Sequence, residues 1–284
     1  MGTAITVRGL VKTYSGVRAV DDLDLEVMEG EIFALLGPNG AGKTTTVEIL
    51  EGYRRRDGGT VSVLGEDPQH AGRDWRGRIG IVLQTSQESA ELTVVEIVRH
   101  FAGYYPDSRD PDQVIDAVGL TTKRNARMRT LSGGQRRRLD VALGIVGSPR
   151  LLFLDEPTTG FDPQARRSFW DLIDGLRDGG TTILLTTHYL DEAEYLADRV
   201  GVINSGRLLA VDTPERLGGP AAQVPQVQWL DRDGVPHREQ TETPTALVAR
   251  LADQFGGEVP SLQVVRPSLE EVYLSMIEKS EVAR

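Results

Sequence analysis

Apolar positions along this chain fall into two rhythms, and the change between them divides it. Up to Gln84 the pattern is strand-like. Ile5-Thr6-Val7 and Leu23-Asp24-Leu25-Glu26-Val27 alternate with period two, and Ile32 to Leu36, Val61 to Leu64 and Ile79 to Leu83 are short apolar runs bounded by Gly or charged turns. One helix is expected among them, over Thr45-Thr46-Val47-Glu48-Ile49-Leu50. From about residue 86 to 148 the pattern turns helical. Thr93 and Glu96 form a capping-box pair ahead of Ile97-Val98-Arg99-His100-Phe101, and Asp110-Pro111 reads as the N-cap and first residue of a further helix. Alternation then returns: Leu151 to Leu154 predicts a buried strand, Pro163 to Leu176 a helix, and Thr182 to Thr187 a strand rich in β-branched residues. That rhythm predicts a parallel sheet flanked by helices.

Gly218-Gly219-Pro220, with Pro225 beyond it, interrupts both periodicities and reads as a linker. Past it, Val227 to Leu230 predicts a strand, Thr243-Pro244 starts a helix through Phe255, Leu262 to Val265 is a strand, and Ser268 with Glu271 caps a last amphipathic helix. An α/β domain over residues 1–217, with a helical subdomain at about 86–148, and a small C-terminal α/β accessory domain over 218–284 are therefore expected.

Composition narrows the possibilities. The 284 residues are 39% hydrophobic, which suits a packed core, and no run approaches the roughly eighteen apolar residues of a membrane-spanning helix. The opening Met1 to Arg8 lacks a basic segment followed by an apolar core, so no secretory signal and a cytoplasmic location are expected. There are no cysteines, and His70, His100, His188 and His237 are far apart, so no zinc site is expected. With 32 basic against 42 acidic side chains the net charge is −10, which argues against nucleic acid as a partner. The basic runs Arg54 to Arg56 and Arg136 to Arg138 read as solvated faces.

The chemistry is concentrated in three places. Gly37, Pro38, Asn39, Gly40, Ala41, Gly42, Lys43 and Thr44 stand between a strand and a helix that Thr45 opens, the order of a phosphate-binding loop. Glycines let backbone N–H groups turn inward around a phosphate chain, and the helix start adds unpaired N–H groups at a positive dipole end. Lys43 is placed to reach the β and γ phosphates and the Thr44 hydroxyl to ligate Mg²⁺. Second, Leu151-Leu152-Phe153-Leu154-Asp155-Glu156 ends an apolar strand in two carboxylates. Asp155, at the carboxyl end of the strand, is suited to hold Mg²⁺, and Glu156 to orient an attacking water. Third, Leu131-Ser132-Gly133-Gly134-Gln135 starts a helix through Val146 with a Ser132/Gln135 capping box, while its two glycines keep the helix tip bare as a second anion-binding end.

These motifs, in this order, resemble the ATP-binding cassette family over residues 1 to 210: the P-loop at 37–44, Gln84 after a strand, LSGGQ at 131–135, LLFLDEP at 151–157 and His188 ending the next strand. The resemblance implies a P-loop NTPase fold with a RecA-like core, an antiparallel β subdomain and a helical subdomain carrying the signature. It also implies an ATPase working as a head-to-tail homodimer, with ATP held between the P-loop of one copy and Ser132, Gly134 and Gln135 of the other. By the same resemblance Tyr14 would stack on adenine, Gln84 would contact Mg²⁺ and transmit movement, His188 would bond the γ-phosphate and Asp162 would bridge the dimer. Phe161 departs from the leucine usual before that aspartate.

Two roles fit such an ATPase: powering a separate transmembrane permease, or clamping the ribosome or DNA as a soluble factor. The second kind tends to carry two cassettes or long heptad arms, and neither occurs between Lys43 and Leu131. The segment after the signature and the tail Pro267-Ser268-Leu269-Glu270-Glu271-Val272-Tyr273-Leu274 look like the bacterial daunorubicin-type drug-resistance exporter subfamily. A multidrug or antibiotic export ATPase, peripheral on the inner face of the cell membrane through its permease, is therefore expected.

Overall fold

The computed structural model describes residues 2–82 and 91–282. Leu83 and Gln84, and with them the expected role of Gln84, lie outside the described residues. In chain order the first elements are β1 (Thr3–Tyr14), β2 (Val17–Met28), β3 (Ile32–Leu36), α1 (Lys43–Leu50), β4 (Gly58–Val63), α2 (Arg73–Arg76) and β5 (Ile79–Val82). The helical stretch supplies α3 (Val94–Ala102), α4 (Pro111–Ala117) and α5 (Gly133–Ile145). Then follow β6 (Leu151–Asp155), α6 (Pro163–Asp178), β7 (Thr182–Thr187), α7 (Leu190–Leu196), β8 (Arg199–Asn204) and β9 (Arg207–Asp212). The last elements are β10 (Gln226–Leu230), β11 (Pro236–Gln240), α8 (Pro244–Phe255), β12 (Gln263–Val265) and α9 (Leu269–Val282).

A six-stranded sheet in the order β5-β6-β7-β3-β8-β9 forms the centre. Its first five strands pair in parallel. Parallel strands are covered on both faces, which is why they read as unbroken apolar runs: every residue of β3 and of β7 is buried. The sequence pattern did not reveal β8 and β9, which form a hairpin about Ser205-Gly206, both with left-handed φ (51° and 80°), the geometry of a tight two-residue turn. Against this sheet lies a second, antiparallel one, β2-β1-β4. One apolar core joins the two, running from Ile5, Leu23 and Val63 through Trp75 to Phe33, Phe153 and Leu184. Trp75 is buried and donates its indole N–H to Val63 O at 2.8 Å, which anchors α2 to the end of β4.

Register places the chemistry. Leu36 of β3 pairs with Thr187 of β7, and Asp155 of β6 pairs with Thr186. The residues following these strands, Gly37, Glu156 and His188, therefore leave one edge of the sheet side by side.

The chain divides into two compact units, Met1–Val211 and Asp212–Arg284. The division precedes the glycine pair, because the segment before it is tied into the second unit. Leu217 is fully buried, its carbonyl accepts from Gln223 Nε2 at 3.1 Å, and Gly219 N–H bonds Arg216 O at 3.0 Å. Gly218 and Gly219, with φ of 79° and 75°, bend the chain within that unit. The second unit carries a sheet in the order β11-β10-β12 whose Val227 packs with Leu247 and Leu251 of α8 and with Val259. Among the described residues no helix is long and apolar enough to cross a membrane.

Candidate active site

The loop between β3 and α1 is shaped by its glycines. A Cβ on Gly37 would lie 2.3 Å from Ile203 O, and one on Gly42, whose φ is 105°, would lie 2.4 Å from Ala19 O. Neither position admits another residue. Pro38, Asn39 and Gly40 are exposed, Ala41 is buried, Thr44 is exposed and Thr45 half-buried. No side chain caps α1 and its first turn holds no acid, so its opening N–H groups face outward for an anion. Lys43 is only 6% exposed, and its Nζ donates to the loop's own Gly37 O at 2.7 Å and Pro38 O at 3.2 Å. Burial pulls its pKa down, while the carboxylates of Glu156 and Asp155 pull it back up.

At the end of β6, Asp155 Oδ1 accepts a hydrogen bond from the Thr186 hydroxyl on the neighbouring strand. Glu156 next to it has φ 43°, a left-handed conformation that costs a non-glycine residue about 1–3 kcal/mol. Its N–H bonds Thr186 O at 3.0 Å, which holds the strained turn in place. The turn aims the Glu156 side chain so that Oε1 lies 3.3 Å from His188 Nδ1 and Oε2 accepts from Thr159 Oγ1 at 3.4 Å. The P-loop lysine, both carboxylates and His188 thus come together at one sheet edge.

The signature segment behaves as its pattern predicts: Gln135 N–H donates to Ser132 Oγ at 3.3 Å and Ser132 N–H to Gln135 Oε1 at 3.1 Å. The basic run after it departs from expectation. Arg137, read from sequence as part of a solvated face, is 7% exposed and donates from Nη2 to Asp155 O at 2.6 Å and from Nε to Pro157 O at 3.0 Å. The helical period was the signal that could have found it, since Arg137 lies on one helical face with the buried Val141, Gly144 and Ile145. A cleft of about 180 Å³ separates the start of α5 from the segment Glu156 to Phe161.

Two further residues lie apart from this cluster in their described contacts. Tyr14 ends β1, 38% exposed, with Lys12 Nζ 5.5 Å and the Arg54 guanidinium 5.3 Å from its ring centroid. Asp162 is the N-cap of α6, accepting from Ala165 N–H at 2.8 Å. Arg54 and Arg56 of the other basic run pair with Glu48 and Asp67.

Comparison with known proteins places these features. Residues 20–159 match the sequence profile of the ABC transporter family. The daunorubicin/doxorubicin resistance ATP-binding protein DrrA of Streptomyces peucetius is 41% identical over 96% of this chain and 92% of its own length. The Nod factor export ATP-binding protein I of Cupriavidus pinatubonensis is 41% identical over 96% of this chain and 90% of its own. Among solved structures, an ATP binding subunit of an ABC transporter superposes with a TM-score of 0.70 at 23% identity, covering 96% of this chain and 99% of that one. The dimeric cassette MJ0796, bound to ADP and Pi, gives 0.66 at 22% identity over 74% and 98%. With identity above 40% sustained over nearly its whole length, the chain belongs to the ABC transporter family, as an ATP-binding subunit that hydrolyses ATP, homologous to those of drug-resistance exporters.

Proposed function

We propose that two copies of this chain bind two ATP molecules at shared seams and power export of a drug-like or antibiotic compound through a separate transmembrane permease on the inner face of the cell membrane. One observation carries the shared seam. A Cβ on Gly133 would meet nothing within 4 Å and one on Gly134 only ordinary contacts, although glycine near a helix start costs up to about 1 kcal/mol relative to alanine. Among the described residues nothing requires those two bare positions, and phosphates held by a second copy would supply a reason for them. The likeness to the resistance protein DrrA supports export of a drug-like compound in this reading.

In this reading Lys43 exchanges its carbonyl partners for phosphate oxygens, and the N–H groups opening α1 cradle the chain. Ser132, Gly134 and Gln135 of the second copy close over the γ-phosphate, Tyr14 supports the adenine, and Asp162 meets the partner copy. Asp155 and Thr44 offer the hard oxygen donors that Mg²⁺ prefers, a set that needs phosphate and water to complete it. When bound, Mg²⁺ would neutralise developing phosphate charge. Glu156, aimed by its strained turn, orients water, and His188 steadies both the carboxylate and the γ-phosphate.

Glu156→Gln tests this arrangement. ATP binding is expected to persist, turnover to fall at least about 100-fold, and light scattering to show an ATP-dependent dimer. Turnover at the wild-type rate, or a strict monomer with Mg²⁺ and ATP, would overturn it. Fractionation of cells carrying both subunits distinguishes transport from a soluble role. The chain should pellet with membranes, whereas pelleting with polysomes would favour a ribosomal clamp.

A further inference from the structure

The central strand β7 carries a threonine where packing asks only for an apolar side chain. Every residue of β7 is buried, and Ile183, Leu184 and Leu185 make its middle a plain aliphatic run. Thr186 follows them with no exposed surface, in register with Leu35 of β3 on one side and Asp155 of β6 on the other. Valine has the same branched shape and suits such a strand equally well. A buried hydroxyl, by contrast, has to find hydrogen-bond partners.

The partners it finds are the two acidic residues of the site. Glu156 N–H donates to Thr186 Oγ1 at 3.3 Å as well as to Thr186 O at 3.0 Å. The Thr186 hydroxyl in turn donates to Asp155 Oδ1. A peptide N–H can only donate, so it uses the hydroxyl as an acceptor and leaves the hydroxyl proton for the carboxylate. Two other threonines of the strand hold turns: Thr182 Oγ1 accepts from Gly30 N–H at 2.9 Å, and Thr187 Oγ1 from Tyr189 N–H at 3.0 Å. Thr186 goes further and fixes a side chain of the site. It engages one oxygen of Asp155 and leaves the other, Oδ2, without a hydrogen bond among the described residues.

We propose that Thr186 is a positioning residue for Mg²⁺: its hydroxyl, oriented by Glu156 N–H, locks the Asp155 carboxylate so that Oδ2 is presented to the metal. It touches neither the metal nor a reacting atom and acts through Asp155. Hydrogen bonds to a ligating carboxylate fix its orientation before the metal arrives, which is why they strengthen binding. The inference rests on the reading of Asp155 as a Mg²⁺ donor, which Asp155→Asn tests separately.

The experiment compares Thr186→Val, Thr186→Ala, Thr186→Ser and Asp155→Asn in the full-length chain. It reads the Mg²⁺ dependence of ATP turnover, the affinity for a non-hydrolysable ATP analogue in Mg²⁺ and in chelator, and Tm. Thr186→Val keeps the branched shape, so it should raise the Mg²⁺ needed for half-maximal turnover about 10-fold and weaken analogue binding in Mg²⁺ by a similar factor. Thr186→Ala, which also lacks the hydroxyl, should show the same shift. Affinity in chelator should stay within about twofold and kcat at saturating Mg²⁺ within about threefold, because Thr186 O still holds Glu156 N–H. Thr186→Ser keeps the hydroxyl and should restore the parent's Mg²⁺ dependence. Parent-like Mg²⁺ dependence in Thr186→Val and Thr186→Ala, an equal loss of affinity in chelator, or a shift that persists in Thr186→Ser at the parent's Tm would each overturn the proposal. Unaltered Mg²⁺ dependence in Asp155→Asn would instead remove the reading beneath it.

Discussion

Lys43 illustrates how a single residue is kept ready. Its ammonium bonds the carbonyls of Gly37 and Pro38, so the side chain already lies against the loop proposed to receive phosphate. Lys43→Ala should abolish measurable ATP binding by equilibrium titration while leaving Tm nearly unchanged; retained affinity would refute the loop's role. Glu51, capping the end of α1, supplies a pH-dependent term. It is 8% exposed, and burial, with smaller contributions from Asp155 and Glu48, raises its pKa from 4.5 to about 8. Between those values the folded chain holds a proton that the unfolded chain has released. Its contribution to stability is fully present below 4.5 and lost as pH rises through 8. Glu51→Gln should therefore melt higher than the parent at pH 8, by about 1–4 kcal/mol or several degrees, with the gap closing toward pH 5. Differential scanning calorimetry on nucleotide-free protein in chelator measures it, and a pH-independent gap would exclude the ionisation.

Among elements, α5 does two jobs from opposite ends of its first two turns. Its tip carries the Ser132 cap and two open glycines, and Arg137 fastens it to the backbone of Asp155 and Pro157. Arg137→Met would leave those buried carbonyls without their charged donor, costing about 1.5–3 kcal/mol and loosening the Glu156 turn. A lowered denaturation midpoint together with reduced kcat is the expected result; unchanged values in both would show the clamp to be idle. Capping and periodicity made several elements legible in advance. The Thr93 box of α3, Asp110-Pro111 at α4 and Ser268 with Glu271 at α9 all stand where the pattern put them. Elements escaped where local signals were weak. The hairpin β8-β9 has a polar start at Arg199 and half-buried residues along β9, so neither alternation nor a long apolar run marks it. Only its place beside β3 makes it a sheet strand.

At the scale of the whole molecule, the P-loop, both carboxylates, the signature and His188 all belong to the unit Met1–Val211. The unit Asp212–Arg284 has a small apolar core of its own. A chain ending at Val211 should thus still bind ATP, and loss of binding would show that the C-terminal unit is needed to shape the site. Whether the C-terminal unit meets a permease would then be read from whether that shortened chain still pellets with membranes. By itself the sequence determined the P-loop, the strand ending in Asp155 and Glu156, and the capped glycine helix tip, because each is a local geometry dictated by neighbouring residues. Only the tertiary structure decided that Arg137 is buried and that Thr186 serves Asp155 from 31 positions away. Those facts follow from which strands lie side by side, and parallel pairing joins segments whose separation along the chain carries no local signal.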